Sequence, residues 1–342
     1  DPLSIGSVGM MGCSRAGNLA VQNSDLLLVF GSRLNTMTTG EDFQKFAREA
    51  KIIIIDIDSV EHSKESIEID KLIIADLKDV LSRLNQNKRV RKYKYWIDKC
   101  QHWKELFPKF EDNFKSTSDQ VDLYHLADSL SKSMPDNSSF VSDSGLIELL
   151  LPTNIIFKDN QRCIHPSSQG SMGFALPGSI GSYFASQNPI ITVIGDGSVM
   201  MNLQELETIS YNKVPVKIFI VNNNAYAVIR KRQIDLFRTR TIGVDSSDGI
   251  SCPDFKKVAK AFNITYVKIE SSKNLEKQIK SVIDIEGPIL CEVMGKPDQD
   301  YIMSSYAKNS KNRIVRRPIE DQAPFIDRSL FNSEMVIEPI DQ

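Results

Sequence analysis

Two short polar turns, at residues 195–197 and 222–224, carry oxygen atoms that can bind a divalent cation. Asp196 in the first turn offers a carboxylate, and Asn223 in the second offers an amide oxygen. Ala225, which follows the second turn, adds a backbone carbonyl oxygen. Three hard oxygens with coordination positions left over suit an octahedral Mg²⁺ that also binds phosphate oxygens. These residues therefore predict a magnesium site beside a phosphate group.

The elements around these turns form a strand, helix, strand unit. Residues 190–194 and 216–221 are short, apolar and rich in β-branched side chains, as buried parallel strands are. Residues 203–209 have apolar side chains at helical spacing, and Asn202 with Glu205 predicts a capping box. Right-handed crossover connections make the two strands parallel, so both turns lie at one edge of the sheet. We therefore expect the two turns to face the same crevice, where doubly wound folds bind ligands.

The spacing between the two turns resembles that of a known enzyme family. Gly195 and Gly197 allow the backbone to approach an anion closely. The two turns are separated by residues 198–221, and this spacing matches the thiamine diphosphate signature, in which the acid and the second asparagine hold the metal ion. The chain as a whole resembles thiamine diphosphate enzymes, and more closely the acetolactate synthase family.

The run 169–178 resembles the Gly-x-Met-Gly-Phe run of that family. The resemblance implies that Met172 wedges between the two rings of the cofactor and that the carbonyl of Gly170 accepts a hydrogen bond from its 4′-amino group. Without the resemblance, this methionine would be interpreted as a core residue. The cofactor contacts predicted elsewhere in the chain are Ser144, Gly145, Gly195, Gly197, Ser198, Asn223 and Tyr226. For Ser144 and Gly145 a plain turn is the alternative, because Leu146-Ile147 stands where the family has Gln-His.

The start of the chain resembles the later half of the central domain of these enzymes. Apolar runs predict strands at 26–31, 52–58 and 72–74, with helices at 41–50 and 77–84. In the family this domain often carries FAD in a structural role. Asn35, Thr36 and Met37 replace two acids and an arginine that are usual there, which argues against FAD. A packing domain with an empty or vestigial site is the alternative.

The predicted fold is α/β: half of a Rossmann-like central domain followed by a doubly wound parallel-sheet thiamine diphosphate-binding domain. The predicted boundaries are 1–86 for the partial central domain, 87–120 for a linker helix laid across the surface, 121–296 for the thiamine diphosphate- and Mg²⁺-binding domain, and 297–342 for a C-terminal arm. A basic cluster at 88–94 is interpreted as a solvated helix face, and a polar stretch at 115–120 as the separator of the domains.

Composition excludes several classes of protein. The net charge of −2 argues against a nucleic-acid binder. The five cysteines have no metal-ligand spacing and predict reduced thiols in a cytoplasmic protein. No apolar run approaches the roughly 20 residues of a membrane span, and no signal peptide is recognisable. The four histidines also lack ligand spacing, so each is predicted to be structural or on the surface.

The resemblance implies an enzyme that decarboxylates a 2-keto acid and transfers the acyl unit to a second carbonyl. One alternative is thiamine diphosphate-dependent C–C hydrolysis or simple decarboxylation in carbohydrate metabolism. Another is a non-catalytic cofactor-binding subunit. Residues 231–241 predict a mobile basic loop over the site, in which Arg232 replaces a tryptophan of the family and suits a carboxylate, phosphate or hydroxylated sugar acceptor. A solvated arginine is the alternative.

In the family, a glutamate of the N-terminal domain of a neighbouring subunit activates the cofactor. No segment of this chain matches that domain, and the first residue is Asp1 rather than methionine. We therefore expect the sequence to begin partway through a longer protein, or the missing domain to lie on another chain. The resemblance also implies a homodimer or homotetramer formed through the thiamine diphosphate-binding domains.

Overall fold

The computed structural model describes residues 1–64, 66–86, 93–111, 120–167 and 169–340. The chain divides into two compact units, the first made of Asp1–Lys109 with Tyr301–Gln342 and the second of Phe110–Asp300. Residues 88–92 of the predicted basic cluster and 115–119 of the predicted polar stretch lie outside the described residues. Within the described ranges, no helix combines the length and the apolar character that crossing a membrane requires.

The first unit contains a three-stranded parallel sheet, as predicted. Its strands, in spatial order, are β1 (Leu26–Phe30), β2 (Lys51–Asp56) and β3 (Lys71–Ile74). A separate antiparallel ribbon joins β10 (Tyr306–Lys308) and β11 (Ile314–Arg316). The helices of this unit are α1 (Arg15–Gln22), α2 (Thr36–Thr39), α3 (Leu77–Gln86), α4 (Lys94–Leu106) and α13 (Arg328–Glu334).

The helix predicted at 41–50 is wrong. Only a short 3-10 turn, Phe43–Lys45, forms there. Ala47 has a φ of 44°, a left-handed conformation that cannot continue a helix, and it is buried together with Phe46 in the core beneath the sheet. The apolar spacing of this segment therefore reflects core contacts made by an irregular loop.

Helix α4 and the C-terminal segment belong to the first unit rather than forming a surface linker and a separate arm. Trp103 of α4 is fully buried against Leu19 of α1. Asn18 of α1 donates to the carbonyl of Ile319 (2.9 Å) and to Oε1 of Gln322 (3.0 Å). Buried polar bonds of this kind fix the C-terminal segment to one place on α1.

The second unit is built on a six-stranded sheet in which every neighbouring pair is parallel. Its strands in spatial order are β5 (Arg162–Ile164), β4 (Ser139–Ser142), β6 (Ile190–Gly195), β7 (Val216–Asn222), β9 (Ile289–Met294) and β8 (Thr265–Ile269). The central strands are buried along almost their whole length because helices pack on the sheet, which explains their continuous apolar runs. The doubly wound parallel fold is confirmed.

Eight helices are described in the second unit. They are α5 (Leu123–Ser133), α6 (Leu146–Asn154), α7 (Ala175–Ser186), α8 (Asp196–Val199), α9 (Glu205–Tyr211), α10 (Ala227–Leu236), α11 (Phe255–Ala261) and α12 (Leu275–Ile283). The predicted mobile loop is wrong over its first half, because residues 231–236 continue α10. The predicted capping box is also wrong, since Gln204 rather than Asn202 precedes α9.

The strand order creates a crevice above the middle of this sheet. The connection that follows β4 runs to β5 on one side, whereas the connection that follows the neighbouring strand β6 runs to β7 on the other side. In open parallel sheets, such a reversal separates the loops at the carboxyl ends of the strands and leaves room for a ligand. The turns that follow β4 and β6 lie at this point.

Candidate functional site

One cavity in the second unit brings together ten of the eleven predicted site residues. They are Ser144, Gly145, Met172, Gly195, Asp196, Gly197, Ser198, Asn223, Ala225 and Tyr226. Apolar side chains, among them Leu146, Ile147 and Val228, complete the lining. The polar groups come from the turns after β4, β6 and β7, so the parallel sheet is what gathers them.

Gly170 is the predicted site residue that does not line this cavity. It has a φ of +57°, and a Cβ there would lie 4.0 Å from Oγ of Ser144 and 3.0 Å from Oε2 of Glu148. Gly170 is therefore next to the cavity wall, and the carboxylate of Glu148 packs against its backbone.

Asp196 connects the two predicted turns directly. Its Oδ1 accepts a hydrogen bond from the N–H of Gly197 at 2.7 Å. Its Oδ2 accepts from the N–H groups of Asn223 at 3.0 Å and Asn224 at 2.6 Å. The aspartate after β6 thus fixes the turn after β7, and the two turns face one crevice as predicted.

The carboxyl group of Asp196 is almost entirely removed from solvent, with 3% of the residue exposed. Burial raises the pKa of Asp196, and the hydrogen bonds from Gly197, Asn224, Cys252 and Asn223 only partly oppose this rise. Within the described residues, no cationic side chain forms an ion pair with it. A buried carboxylate without a cation is costly, so a bound cation would lower the free energy of this site.

Cys252 contacts Asp196 from outside the predicted turns. Its thiol shares a hydrogen bond with the carboxylate. Burial, followed by the negative charge of Asp196, raises the pKa of Cys252 to about 12. The thiol therefore stays protonated at neutral pH and acts as a hydrogen-bond donor to the aspartate.

Asn223 and Ala225 lie in a tight turn whose backbone is bonded to Asp196. Oδ1 of Asn223 accepts from the N–H of Ala225 at 3.2 Å. Ala225 also forms an isolated bridge with Asp245, and the N–H of Tyr226 donates to the carbonyl of Val244 at 2.8 Å. The turn is thus anchored on both sides. An amide oxygen has a second lone pair, so Asn223 can accept the Ala225 N–H and still bind an ion.

Gly197 is required by packing rather than by an unusual backbone conformation. A Cβ at this position would lie 2.8 Å from Cδ1 of Tyr226 and nearer still to Cε1. Gly195 has open space by comparison, since the nearest atom to its Cβ position is Oγ of Ser198 at 3.9 Å. The aromatic ring of Tyr226 therefore packs closely against the first turn only because residue 197 has no side chain.

Met172 lines the cavity and is 38% exposed. The loop that carries it is fixed by Asp143, which is completely buried and accepts hydrogen bonds from the N–H groups of Gly173 (3.0 Å) and Ala175 (2.8 Å). Asn202 donates to the carbonyl of Gly173 at 3.0 Å. Neither Asp143 nor Asn202 was assigned a role at the site from the sequence. For Asp143 the available signal was an acid directly after an apolar strand.

No group of three or more His, Cys, Asp or Glu side chains that could hold a metal ion occurs in the described part of the chain. The predicted magnesium ligands are of a different kind, since they combine one carboxylate with an amide oxygen and a backbone carbonyl. Such a mixed oxygen set suits Mg²⁺, which uses few protein ligands when it also binds phosphate.

Two family models match this chain, and one of them covers most of the residues that line the cavity. Residues 143–293 match the family model described as thiamine pyrophosphate enzyme, C-terminal TPP binding domain. Residues 1–84 match the model described as thiamine pyrophosphate enzyme, central domain. The first match includes the turns after β4, β6 and β7 that line the cavity.

Individual relatives are similar over most of this chain. An acetolactate synthase large subunit of Cyanidium caldarium is 29% identical over 324 residues, which are 92% of this chain and 54% of that protein. Acetolactate synthase 2, chloroplastic, of Zea mays is 29% identical over 89% of this chain and 48% of its own length. An acetolactate synthase large subunit of Pyropia yezoensis is 30% identical over 84% of this chain and 49% of its own. The chain thus spans about half the length of these relatives.

Proposed function

Because the chain belongs to the thiamine pyrophosphate enzyme family, we propose that it binds thiamine diphosphate together with Mg²⁺. Thiamine diphosphate and thiamine pyrophosphate are two names for one compound. We further propose an acetolactate synthase-like reaction, in which a 2-keto acid is decarboxylated and the acyl unit is transferred to a second carbonyl. The similarity to acetolactate synthases supports this choice of reaction.

The observation that carries the proposal is the group of oxygens at the ends of β6 and β7. Asp196 supplies a buried negative charge without an ion-pair partner in the described residues. Asn223 and Ala225 line the same cavity. These three residues would hold Mg²⁺, and the open space beside Gly195 would let diphosphate oxygens approach the backbone of the neighbouring turn.

When bound, thiamine diphosphate supplies a nucleophilic carbon and an electron sink for breaking the bond next to a keto acid carbonyl. The residues of this chain bind and orient it. Met172 would press against the cofactor between its two rings, in a loop fixed by Asp143. The carbonyl of Gly170 would accept the hydrogen bond of the 4′-amino group, and apolar neighbours such as Ile147 would exclude water from the reaction.

The proposal includes a glutamate from outside this chain that activates the cofactor, and a homodimer or homotetramer formed through the thiamine diphosphate-binding domains. FAD is not included. Asn35, Thr36 and Met37 stand where the family usually has two acids and an arginine, which are plausible partners for a flavin. The proposed location is the cytoplasm, whereas four of the related proteins are named chloroplastic.

The acceptor is proposed to be polar. Arg232 is exposed on α10, one helical turn after Val228, which lines the cavity. A guanidinium at this position suits a carboxylate, a phosphate or a hydroxylated sugar. Hydrolytic C–C cleavage or simple decarboxylation would give different products from the same substrate.

Two measurements test the proposal. Calorimetric titration of the purified chain with thiamine diphosphate should show binding that requires Mg²⁺ and disappears with EDTA. Incubation with ¹³C-labelled pyruvate and candidate acceptors, followed by NMR, should show a new carbon–carbon bond when the activating domain is supplied. Absence of binding under any metal condition would refute the cofactor assignment. Release of free aldehyde or acid alone would favour the decarboxylase or hydrolase alternative.

A further inference from the structure

A buried carboxylate, Glu292 of β9, connects three neighbouring strands of the second unit. Its Oε1 accepts a hydrogen bond from Nδ2 of Asn222, the last residue of β7, at 2.6 Å. Its Oε2 accepts from the hydroxyl of Tyr266 on β8. Strand β9 lies between β7 and β8, so the side chain of Glu292 can reach residues of both neighbouring strands.

The amide group of Asn222 connects Glu292 to the predicted ion site through hydrogen bonds. While its Nδ2 donates to Glu292, its Oδ1 accepts from the N–H of Asn224 at 3.1 Å. The same N–H of Asn224 donates to Oδ2 of Asp196 at 2.6 Å. Asn223 lies between these bonded positions. The orientation of the Asn222 amide therefore helps to fix the turn that contains Asn223 and Ala225.

Glu292 is 8% exposed, and in the described part of the chain its carboxylate forms no ion pair with a lysine or arginine. A buried charge of this kind costs desolvation free energy, and an apolar residue would fill the same space at lower cost. Burial, followed by the hydrogen bond to Glu292, raises the pKa of Tyr266, so its hydroxyl remains the donor. Both carboxylate oxygens are thus held in defined directions.

We propose that Glu292 is a positioning residue for the divalent-ion site, acting through Asn222, with Tyr266 as its anchor. This inference rests on the proposed function, since it concerns the ion that holds the cofactor. Mutation of a residue that orients a metal ligand without binding the metal typically lowers metal affinity by roughly 10- to 100-fold. Neither Glu292 nor Tyr266 lines the cavity, so neither is expected to touch cofactor or substrate.

The test measures binding of Mn²⁺, as a paramagnetic substitute for Mg²⁺, by electron paramagnetic resonance in the presence of thiamine diphosphate. We expect Glu292→Leu to weaken Mn²⁺ binding by roughly 10-fold or more. Glu292→Gln keeps an oxygen for Asn222 and should restore most of the affinity. Tyr266→Phe should give an intermediate loss. Glu270→Gln is the control, because Glu270 is an exposed acid just after β8 that pairs with Lys268.

Each variant is measured well below its unfolding temperature, with circular dichroism confirming that it is folded. If Glu292→Leu is folded and binds Mn²⁺ as tightly as the wild type, Glu292 has only a structural role and the inference is overturned. If Glu292→Leu does not fold, Tyr266→Phe decides, and unchanged affinity in that variant overturns the inference equally. If the wild type itself binds no Mn²⁺, the proposed function fails together with this inference.

Discussion

Oδ2 of Asp196 accepts a hydrogen bond of 2.6 Å from the backbone N–H of Asn224. This bond joins the ends of two adjacent parallel strands, so the carboxylate that is proposed to bind the ion also shapes the turn that presents the other ligands. The charge and the geometry of the site therefore depend on the same side chain.

Asp196→Asn should abolish Mg²⁺-dependent retention of thiamine diphosphate. The substitution keeps the size of the side chain but removes the charge and places an N–H₂ group where acceptors are needed. Retention is measured as thiochrome fluorescence of cofactor released from the purified protein. Asp159→Asn, at an exposed position, should behave as wild type. Equal cofactor content in both variants would contradict the assignment of Asp196.

Gly197→Ala should weaken cofactor binding because the new methyl group displaces the ring of Tyr226. Overpacking of this kind costs about 1–3 kcal/mol, and if this strain opposes cofactor binding it corresponds to a loss of affinity of roughly 5- to 150-fold. Calorimetric titration measures the loss. Gly181→Ala is the matched control, since no atom lies within 4 Å of its Cβ position and it is inside helix α7. That variant should be neutral, or more stable by up to about 1 kcal/mol.

Asp143→Ala should destabilise the second unit and disorder the loop that carries Met172. Three N–H groups, those of Ser144, Gly173 and Ala175, would lose their acceptor. We expect a loss of about 3 kcal/mol or more in the free energy of unfolding, measured by urea titration. Asp136→Ala, whose side chain is 75% exposed, should change it by less than about 0.5 kcal/mol. Similar small effects in both variants would show that Asp143 does not organise this loop.

Asn18→Ala should destabilise the first unit by about 2 kcal/mol or more. The substitution removes the acceptor of the Gly9 N–H (2.9 Å) and a donor to the carbonyl of Ile319 (2.9 Å), both in a buried network. Hydrogen exchange of the amides around residue 319 measures the effect locally. Asn332→Ala, an exposed asparagine of the same unit, provides the comparison. Unchanged exchange after Asn18→Ala would mean that other contacts hold the C-terminal segment.

The free energy of unfolding should fall as pH rises above about 9. Burial, followed by the charge of Glu292, raises the pKa of Cys291 from its ordinary value of about 9 to about 12. Between these pH values the unfolded chain releases the thiol proton while the folded chain keeps it, so increasing pH favours unfolding, by up to about 1.4 kcal/mol per pH unit. Cys291→Ala should show a shallower decline than wild type. Val293→Ala shortens a side chain on the same strand without a titrating group and should keep the wild-type slope.

The parts of the site that follow directly from strand ends could be predicted from sequence. Asp196 and Asn223 end two apolar runs, and parallel pairing places such residues at one edge. Asp143 also follows a strand and carries the same signal. The roles of Asn202 and Glu292 could not be predicted, because Gly173, Tyr266 and Asn222, to which they bond, lie 26 to 70 residues away in the chain and become neighbours only after folding.

The errors in the fold prediction have local causes. The apolar spacing of residues 41–50 suits a helix, and nothing in the sequence signals the left-handed conformation of Ala47, which a non-glycine residue rarely adopts. Residues 93–109 have a surface-like content of charge, yet Trp103 is buried. The contribution of residues 301–342 to the first unit depends on side chains such as Asn18 and Gln322, whose pairing carries no periodic signal.

The first unit is assembled from two stretches of chain that are separated by the whole of the second. During translation, the second unit has all of its residues available when residue 300 leaves the ribosome, whereas the first still lacks the segment that bonds to α1. Domains generally fold as units while the chain is being made. Helix α1 and its buried amides should therefore remain partly unpaired until residues 301–342 have been made, and during this interval they are exposed to binding by a chaperone.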